Sequence, residues 1–355
     1  MSDQSGIAFI GDVMLGRNVG TTTTPLELQQ ALEQAADGRV LAVNLECVIT
    51  ESRQPAAHTH SAFAAAPALL KALQRAGTLV ASVANNHCLD FGAVGLADTL
   101  AALHRTRIAA LGIRREAGSI EPECMTLGAR RLAIFGCCDL SLPAAVWKAG
   151  IVSARDAGLH AAIATHVSRG EDVVVSVHWG HEGITVPPPE ARQLARRFAA
   201  LGVRVVIGHG PHVVQGFEDI GTCRVYYSLG DAVFDRAAQT HRDWGLLVYL
   251  DATPQRLVTR HRIVQIDART YVPTAVDAAH FEASLEERSA VLQDDKVYRA
   301  RFAAEAGSGF VGQQIRSTWR LVRRAGWRGL VAKARGFRLR HLRLFAYAIR
   351  ATRRP

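Results

Sequence analysis

The sequence predicts an α/β fold whose helices lie outside its sheets. Up to residue 209, short apolar runs alternate with amphipathic stretches of helical period. The apolar runs are hydrophobic at successive positions, as in strands buried on both faces. From Val213 the pattern changes to strands joined by short turns, which reads as antiparallel sheet.

Element by element, "IAFIGD" is a strand ending at a Gly-Asp turn, and "PLELQQALEQAA" a helix with Pro25 in its first turn. "VLAVNLE" is a second strand. "PALLKALQRAG" is a helix closed by Gly77, a residue that accepts the left-handed conformation common after a helix end. "TLVASVANNH", "IAALGI" and "RLAIFGCCD" are strands, with the helix "GLADTLAALHRTR" after the first of them. The helix "ARDAGLHAAIATHVSRG" leads into the strand "DVVVSVHWG". "PPPEARQLARRFAALG" is a helix with Leu194, Phe198 and Leu201 on one face and Gly202 as its stop, followed by "VRVVIGHG". "VQGFEDIGTCRVYYSLGD", "WGLLVYLD" and "RLVTRHRIVQID" supply the antiparallel strands, and 276–305 reads as helix.

Charge divides the chain. The net charge is +10, yet 13 Lys and Arg and no acidic residue lie from 306 onward. The preceding residues carry 29 basic against 32 acidic groups. Three parts follow: a main domain over 1–275, a helical segment over 276–315 packing on it, and a basic amphipathic tail over 316–355. In the tail, Trp319, Val322, Gly326, Leu330, Ala334 and Phe337 recur at spacings of three and four among arginines. That pattern suits an anionic membrane surface, where each cation contributes about 1 kcal/mol. Behind that reading come packing of the apolar stripe on the body and, last, contact with an anionic polymer. Sparse aromatics and the lack of a nucleic-acid motif argue against nucleic acid. No apolar run reaches membrane-spanning length, the N-terminus lacks a signal-peptide pattern, and the six cysteines show no CxxC pair. A cytoplasmic protein is expected, peripheral at the inner membrane face if the tail binds lipid.

The strands end in unusual residues. Asp12 follows "IAFI"; Asn44 and Glu46 follow "VLAV"; Asn85, Asn86 and His87 follow "VASVA"; His178 follows "VVVSV"; and His209 and His212 follow "VRVVIG". Strand carboxyl ends in α/β sheets form the crevice where ligands bind. Singly, each residue has an ordinary explanation as a turn, a cap or a satisfied core histidine. Together they bring carboxylate, carboxamide and imidazole to one edge, a donor set for divalent Zn, Mn or Fe. A carboxylate bridging two such ions supports attack on a phosphoryl or related centre. Glycine on either side of His209 lets the backbone approach a ligand closely.

The ordered motifs "GDVMLGR", "NLECVIT", "ANNHCLDFG", "HWGHE", "GHGPHVVQGFE" and "YSLGD" resemble the capsule-synthesis (CapA-like) family associated with poly-γ-glutamate, a branch of the calcineurin-like metallophosphoesterases. The resemblance covers roughly residues 5–270. It implies a four-layer α/β/β/α sandwich with the site at the strand ends. It also implies metal ligation by Asp12, by Glu46 as bridging carboxylate, and by Asn86, His178, His209 and His212. His87 becomes the general acid for the leaving group. Arg17, Asn44, Asn85 and Glu182 become groups that orient substrate or ligands, Arg17 and Asn85 beside the catalytic histidine and Asn44 and Glu182 around it.

Three departures from the wider superfamily pattern bear on the metals. Met14 stands where a histidine ligand is usual, Glu46 replaces a bridging Asp, and Gly-Pro separates the two late histidines. A thioether is a poor ligand for these ions, so one firm and one weaker metal position are expected. The implied activity is hydrolysis of a phosphoester or amide-type bond in a small-molecule or anionic polymer substrate. Two further readings remain open: metal-assisted proton transfer by an epimerase or lyase, and a non-catalytic subunit that binds polymer. The N-terminal membrane anchor frequent in the family is not evident in this chain.

Overall fold

The computed structural model describes residues 6–56, 61–115, 118–235, 243–276 and 279–307. In chain order its first elements are β1 (Ile7–Val13), α1 (Arg17–Thr22), α2 (Pro25–Ala36), β2 (Val40–Leu45), β3 (Val48–Ile49), β4 (Ala64–Ala65), α3 (Pro67–Arg75), β5 (Thr78–Ser82), α4 (Gly92–Thr106) and β6 (Ala109–Leu111). Next come β7 (Glu123–Leu127), β8 (Arg130–Cys138), α5 (Ala144–Lys148), α6 (Ala157–Ser168), β9 (Asp172–His178), α7 (Pro189–Ala200) and β10 (Val205–His209). The chain continues through β11 (Phe217–Ile220), β12 (Cys223–Tyr226), β13 (Asp231–Val233), β14 (Trp244–Ala252), β15 (Leu257–Ile266), β16 (Pro273–Ala275), α8 (Ala279–Val291) and α9 (Asp295–Glu305).

Two large sheets form. One runs β16-β15-β14-β1-β2-β5-β6, with β13 also paired to β1; the other runs β11-β12-β10-β9-β8-β7. Side-chain alternation explains why their strands read as unbroken apolar runs. Phe9, Ala42, Val80 and Leu111 of the first sheet meet Leu132, Ile134, Val174 and Ile207 of the second. On the other face of the first sheet, Ala8, Ile10, Leu41 and Val43 pack beneath Leu28, Leu32, Leu70 and Leu103 of α2, α3 and α4. The outer face of the second sheet sets Phe135, Val173 and Val175 against Leu159 and Ile163 of α6, Phe198 of α7 and Phe302 of α9. Each large side chain so enclosed contributes about 1.5–3 kcal/mol. The result is the expected α/β/β/α sandwich.

Local signals set the helix ends. Thr24 accepts from the Glu27 amide at 3.1 Å while Glu27 Oε2 accepts from the Thr24 amide at 2.9 Å, a reciprocal cap one residue before Pro25. The strand pairing puts the functional residues side by side. β1, β2, β5 and β6 are parallel, with Asp12 opposite Asn44 and Asn44 opposite Ser82. β9 and β10 are parallel, with His178 opposite His209.

The structure differs from the sequence reading in three places. β1 does not stop at a Gly-Asp turn. It runs on to Val13 because the Asp12 amide donates to Gly230 O and the Met14 amide to Val233 O, both at 2.9 Å, so that β13 joins as a parallel neighbour. The stretch after Val213 is antiparallel in β11–β12, β14–β15 and β15–β16, but β12 pairs parallel with β10. The elements β3, β4, β7, α1 and α5 carry no periodic signal in the sequence, most of them being too short to show one. Helices α8 and α9 pack through Leu285, Tyr298 and Phe302. The basic tail expected over 316–355 lies outside the described residues; among the described residues no helix is long and apolar enough to cross a membrane. All six cysteines are free, and Cys124 alone among them is not buried.

Candidate metal centre

The site is assembled where the carboxyl ends of both sheets meet. Asp12, fully buried in β1, accepts from Asn44 Nδ2 at 2.9 Å, His209 Nδ1 at 3.0 Å and the Gly210 amide at 3.2 Å. Burial alone would raise its carboxyl, but the His209 hydrogen bond and the charges of His209, His212 and His178 hold it well below the usual carboxylate range. Asn44 also lies 3.1 Å from His178 Nδ1 and is itself held by Asn85, whose amide donates to Leu45 O at 2.9 Å. Burial brings His178 down to about 4, against the opposing pull of Glu46 and Asp12. A neutral imidazole is the form that ligates a metal.

The "GHGPH" loop needs its glycine. Gly210 has φ +105°, and a Cβ there would come within 2.7 Å of His178 Nε2. The turn then puts His212 at φ +56°, aiming its ring back over the strand ends. Its Nδ1 lies 2.7 Å from Asp231 Oδ1 and 3.4 Å from Asp12 Oδ2, and its Nε2 lies 3.4 Å from Glu46 Oε1. Burial disfavours charge on this ring, yet Glu46 and Asp231 outweigh it and raise His212 well above its ordinary value.

Glu46 decides what the cluster suits. Both its oxygens are buried, and neither makes a hydrogen bond among the described residues, the nearest imidazole nitrogen, His212 Nε2, lying 3.4 Å away. A buried carboxylate without donors is costly unless a cation faces it. Donor atoms of Asp12, Glu46 and His212 all lie within 4.8 Å of one another. Hard oxygens with imidazole nitrogen, crowded and short of donors, fit a divalent ion.

His87 stands beside this group. Its Nδ1 lies 2.7 Å from Asp90 Oδ2, its Nε2 3.7 Å from Glu46 Oε1, and its ring stacks on Phe63 with centroids 3.9 Å apart. Arg17, at φ +52°, pairs with Asp235 at 3.1 Å and lies over the Phe63 ring, 5.1 Å from its centroid.

Of the residues selected from sequence, Asp12, Asn44, Glu46, Asn85, His178, His209 and His212 converge here, with His87 and Arg17 at the margin. Asn86 and Glu182 are exposed. The buried amide that ties into the network is Asn85. Met14 is buried in the core beneath the site, its sulfur accepting from the Gly16 amide at 3.1 Å. Sequence reasoning missed Asp231, Asp90 and Phe63. Asp231 did leave a signal, since "YSLGD" repeats the Gly-Asp of "IAFIGD".

The sequence profile of the family described as bacterial capsule synthesis protein PGA_cap matches residues 6–236. The chain belongs to this family. It is similar to the PGA biosynthesis protein CapA of Bacillus subtilis (strain 168), 27% identical over 259 residues, which are 70% of this chain and 68% of that one. It is also similar to the capsule biosynthesis protein CapA of Bacillus anthracis, 26% identical over 262 residues. That match covers 68% of this chain and 63% of the relative, so the chain spans less than two thirds of the Bacillus anthracis protein. Among solved structures, a 5'-nucleotidase from Candida albicans aligns over 81% of this chain and 58% of its own with a TM-score of 0.44 at 9% identity. Every residue of the cluster, from Asp12 to Asp235, falls within the span of the capsule-synthesis family profile.

Proposed function

We propose that this capsule-synthesis family protein is a metal-dependent hydrolase of a phosphoester or amide-type bond in poly-γ-glutamate or cell-envelope polymer metabolism. The observation that supports it most is Glu46, a fully enclosed carboxylate that makes no hydrogen bond among the described residues and has two imidazoles nearby.

Asp12, Glu46 and His212, with His178 and His209 beside them, would hold Mn, Zn or Fe, one ion firmly and a second more weakly. When bound, such ions supply Lewis acidity and positive charge next to the reacting group. The chain's own residues do the rest. Asn44 fixes Asp12 and His178 together, and Asn85 fixes the strand that carries Asn44. Asp90 locks the His87 ring through Nδ1, leaving Nε2 on the side of Glu46 to pass a proton to a leaving group. Phe63 walls the ring and keeps water from one face of it. Arg17 offers a guanidinium at the rim, positioned by Asp235, for an anionic portion of the substrate.

Elemental analysis of the purified protein, paired with a chromogenic phosphodiester assay under added Mn, Zn and Fe, tests this reading. Protein that carries and accepts no divalent ion would sink it. The expected partner of the 316–355 segment is an anionic membrane surface at the inner membrane face. Co-sedimentation with anionic vesicles should be stronger for the full chain than for one ending near residue 307.

A further inference from the structure

A second group of metal-type donors lies away from the strand carboxyl ends. We infer that Cys124, His166 and Glu171 form a zinc-selective cation site on the outer face of the second sheet. Donor atoms of these three residues lie within 4.8 Å of one another.

The fold brings them together from three elements. Cys124 in β7 is opposite Ala133 in β8, which is opposite Val173 in β9. Glu171 precedes Val173 by two positions, so strand alternation puts Cys124, Ala133 and Glu171 on one face of the sheet. That face packs under α6, whose last turn lowers His166 edge-on to Phe135, with ring centroids 5.6 Å apart. His166 Nδ1 lies 2.6 Å from Glu171 Oε2. β9 separates this group from His178 by its whole length, about 20 Å at the usual rise per residue.

The chemistry differs from that of the strand-end cluster. A thiol, an imidazole and a carboxylate favour a borderline ion such as zinc over the harder manganese, and three protein ligands leave room for a fourth. Arg131 Nη2 lies 3.2 Å from Glu171 Oε1, but its side chain is 69% exposed and can turn into water when a cation enters. The site stands independently of the hydrolase reading, because it shares no residue with the strand-end cluster.

Cobalt separates the two. The full chain, stripped with a chelator and titrated with Co²⁺, should develop thiolate-to-cobalt charge-transfer absorption in the near ultraviolet. That absorption should vanish in Cys124→Ser and in His166→Ala, and persist in Glu46→Gln. Zinc stoichiometry should fall by one equivalent in Cys124→Ser, a near-isosteric change whose circular dichroism serves as the folding control. Absence of the absorption in the parent protein, or its survival in Cys124→Ser, overturns the assignment.

Discussion

Glu46 and His212 face each other with Oε1 and Nε2 3.4 Å apart, within a cluster that also holds the carboxylates of Asp12 and Asp231. Asp231 and Asp12 approach the other nitrogen of the same ring at 2.7 and 3.4 Å. Three carboxylates therefore converge on this one ring, while His209 also meets Asp12 and His87 lies near Glu46. Under the proposed function a dication would relieve this crowding of carboxylates, and its binding would then add to the stability of the fold as well as serve the chemistry.

Replacing Glu46 with Gln should separate those two effects. Gln removes one charge from the cluster, so thermal unfolding in chelator should occur at the same temperature as for the parent protein or higher. Added Mn²⁺ or Zn²⁺ at a hundredfold over Kd should stabilise the parent by about 2.7 kcal/mol. The variant should gain far less. Calorimetry with and without metal reads both, and an equal metal-induced shift in the two proteins would show that Glu46 is not a ligand.

His87 and Asp90 form a second test. The ring is held by Asp90 on one side and stacked on Phe63 on the other, with only its Nε2 turned to the cluster. His87→Ala should retain metal and lose about 10²–10⁴-fold in kcat, the range for a general acid. Asp90→Asn should lower kcat less and shift the pH profile, because the ring stays but its tautomer is no longer fixed. Loss of metal from His87→Ala would move His87 into the ligand set.

The site was largely legible because its residues interrupt apolar strands at their carboxyl ends, where a buried strand has no use for an imidazole or a carboxylate. Asp12, Glu46, His178, His209 and His212 all stand out this way. Asn85 and Asn86 do not, since adjacent identical side chains differ only in which way the loop turns them, and the loop buries Asn85. Asp231 required knowledge that β13 runs parallel to β1, a pairing between segments distant in sequence. Phe63 comes from the loop before β4, and no local pattern links it to His87. Edge elements such as β7 escaped because a short strand with mixed exposure has no period to read.

Gly210 should be among the least replaceable residues of the loop. Gly210→Ala forces a side chain onto a backbone at φ +105° and pushes its Cβ against the His178 ring. Backbone strain of about 1–3 kcal/mol is expected, and relief by moving His178 would displace it from Asn44. Urea unfolding should report the first effect and weakened metal binding the second. A variant with parental stability and metal affinity would show that the loop is pliant.

The C-terminal helices deserve a test because they grip the segments that follow the site histidines. Thr185 donates through its amide and hydroxyl to Glu305 at 2.7 Å each, Tyr298 Oη donates to Pro187 O at 2.9 Å, and the Phe217 amide donates to Ser289 Oγ at 3.1 Å. At the centre, Arg192 of α7 reaches Glu218 Oε2 at 3.0 Å and Leu292 O at 2.9 Å, with its guanidinium 4.4 Å from the Tyr298 ring centroid. Both ion-pair side chains are nearly enclosed, at 6% and 10% exposure. Arg192→Leu strands the Glu218 charge and should cost about 3–5 kcal/mol in urea unfolding. Adding Glu218→Gln removes that stranded charge while keeping an acceptor for Tyr227 Oη, which donates to Glu218 Oε1 at 2.6 Å. The double variant should therefore recover much of the loss. Were Arg192→Leu to cost under about 1 kcal/mol, the range of solvent-exposed pairs, the pair would be solvated and the helices would be held by their apolar contacts and the remaining hydrogen bonds.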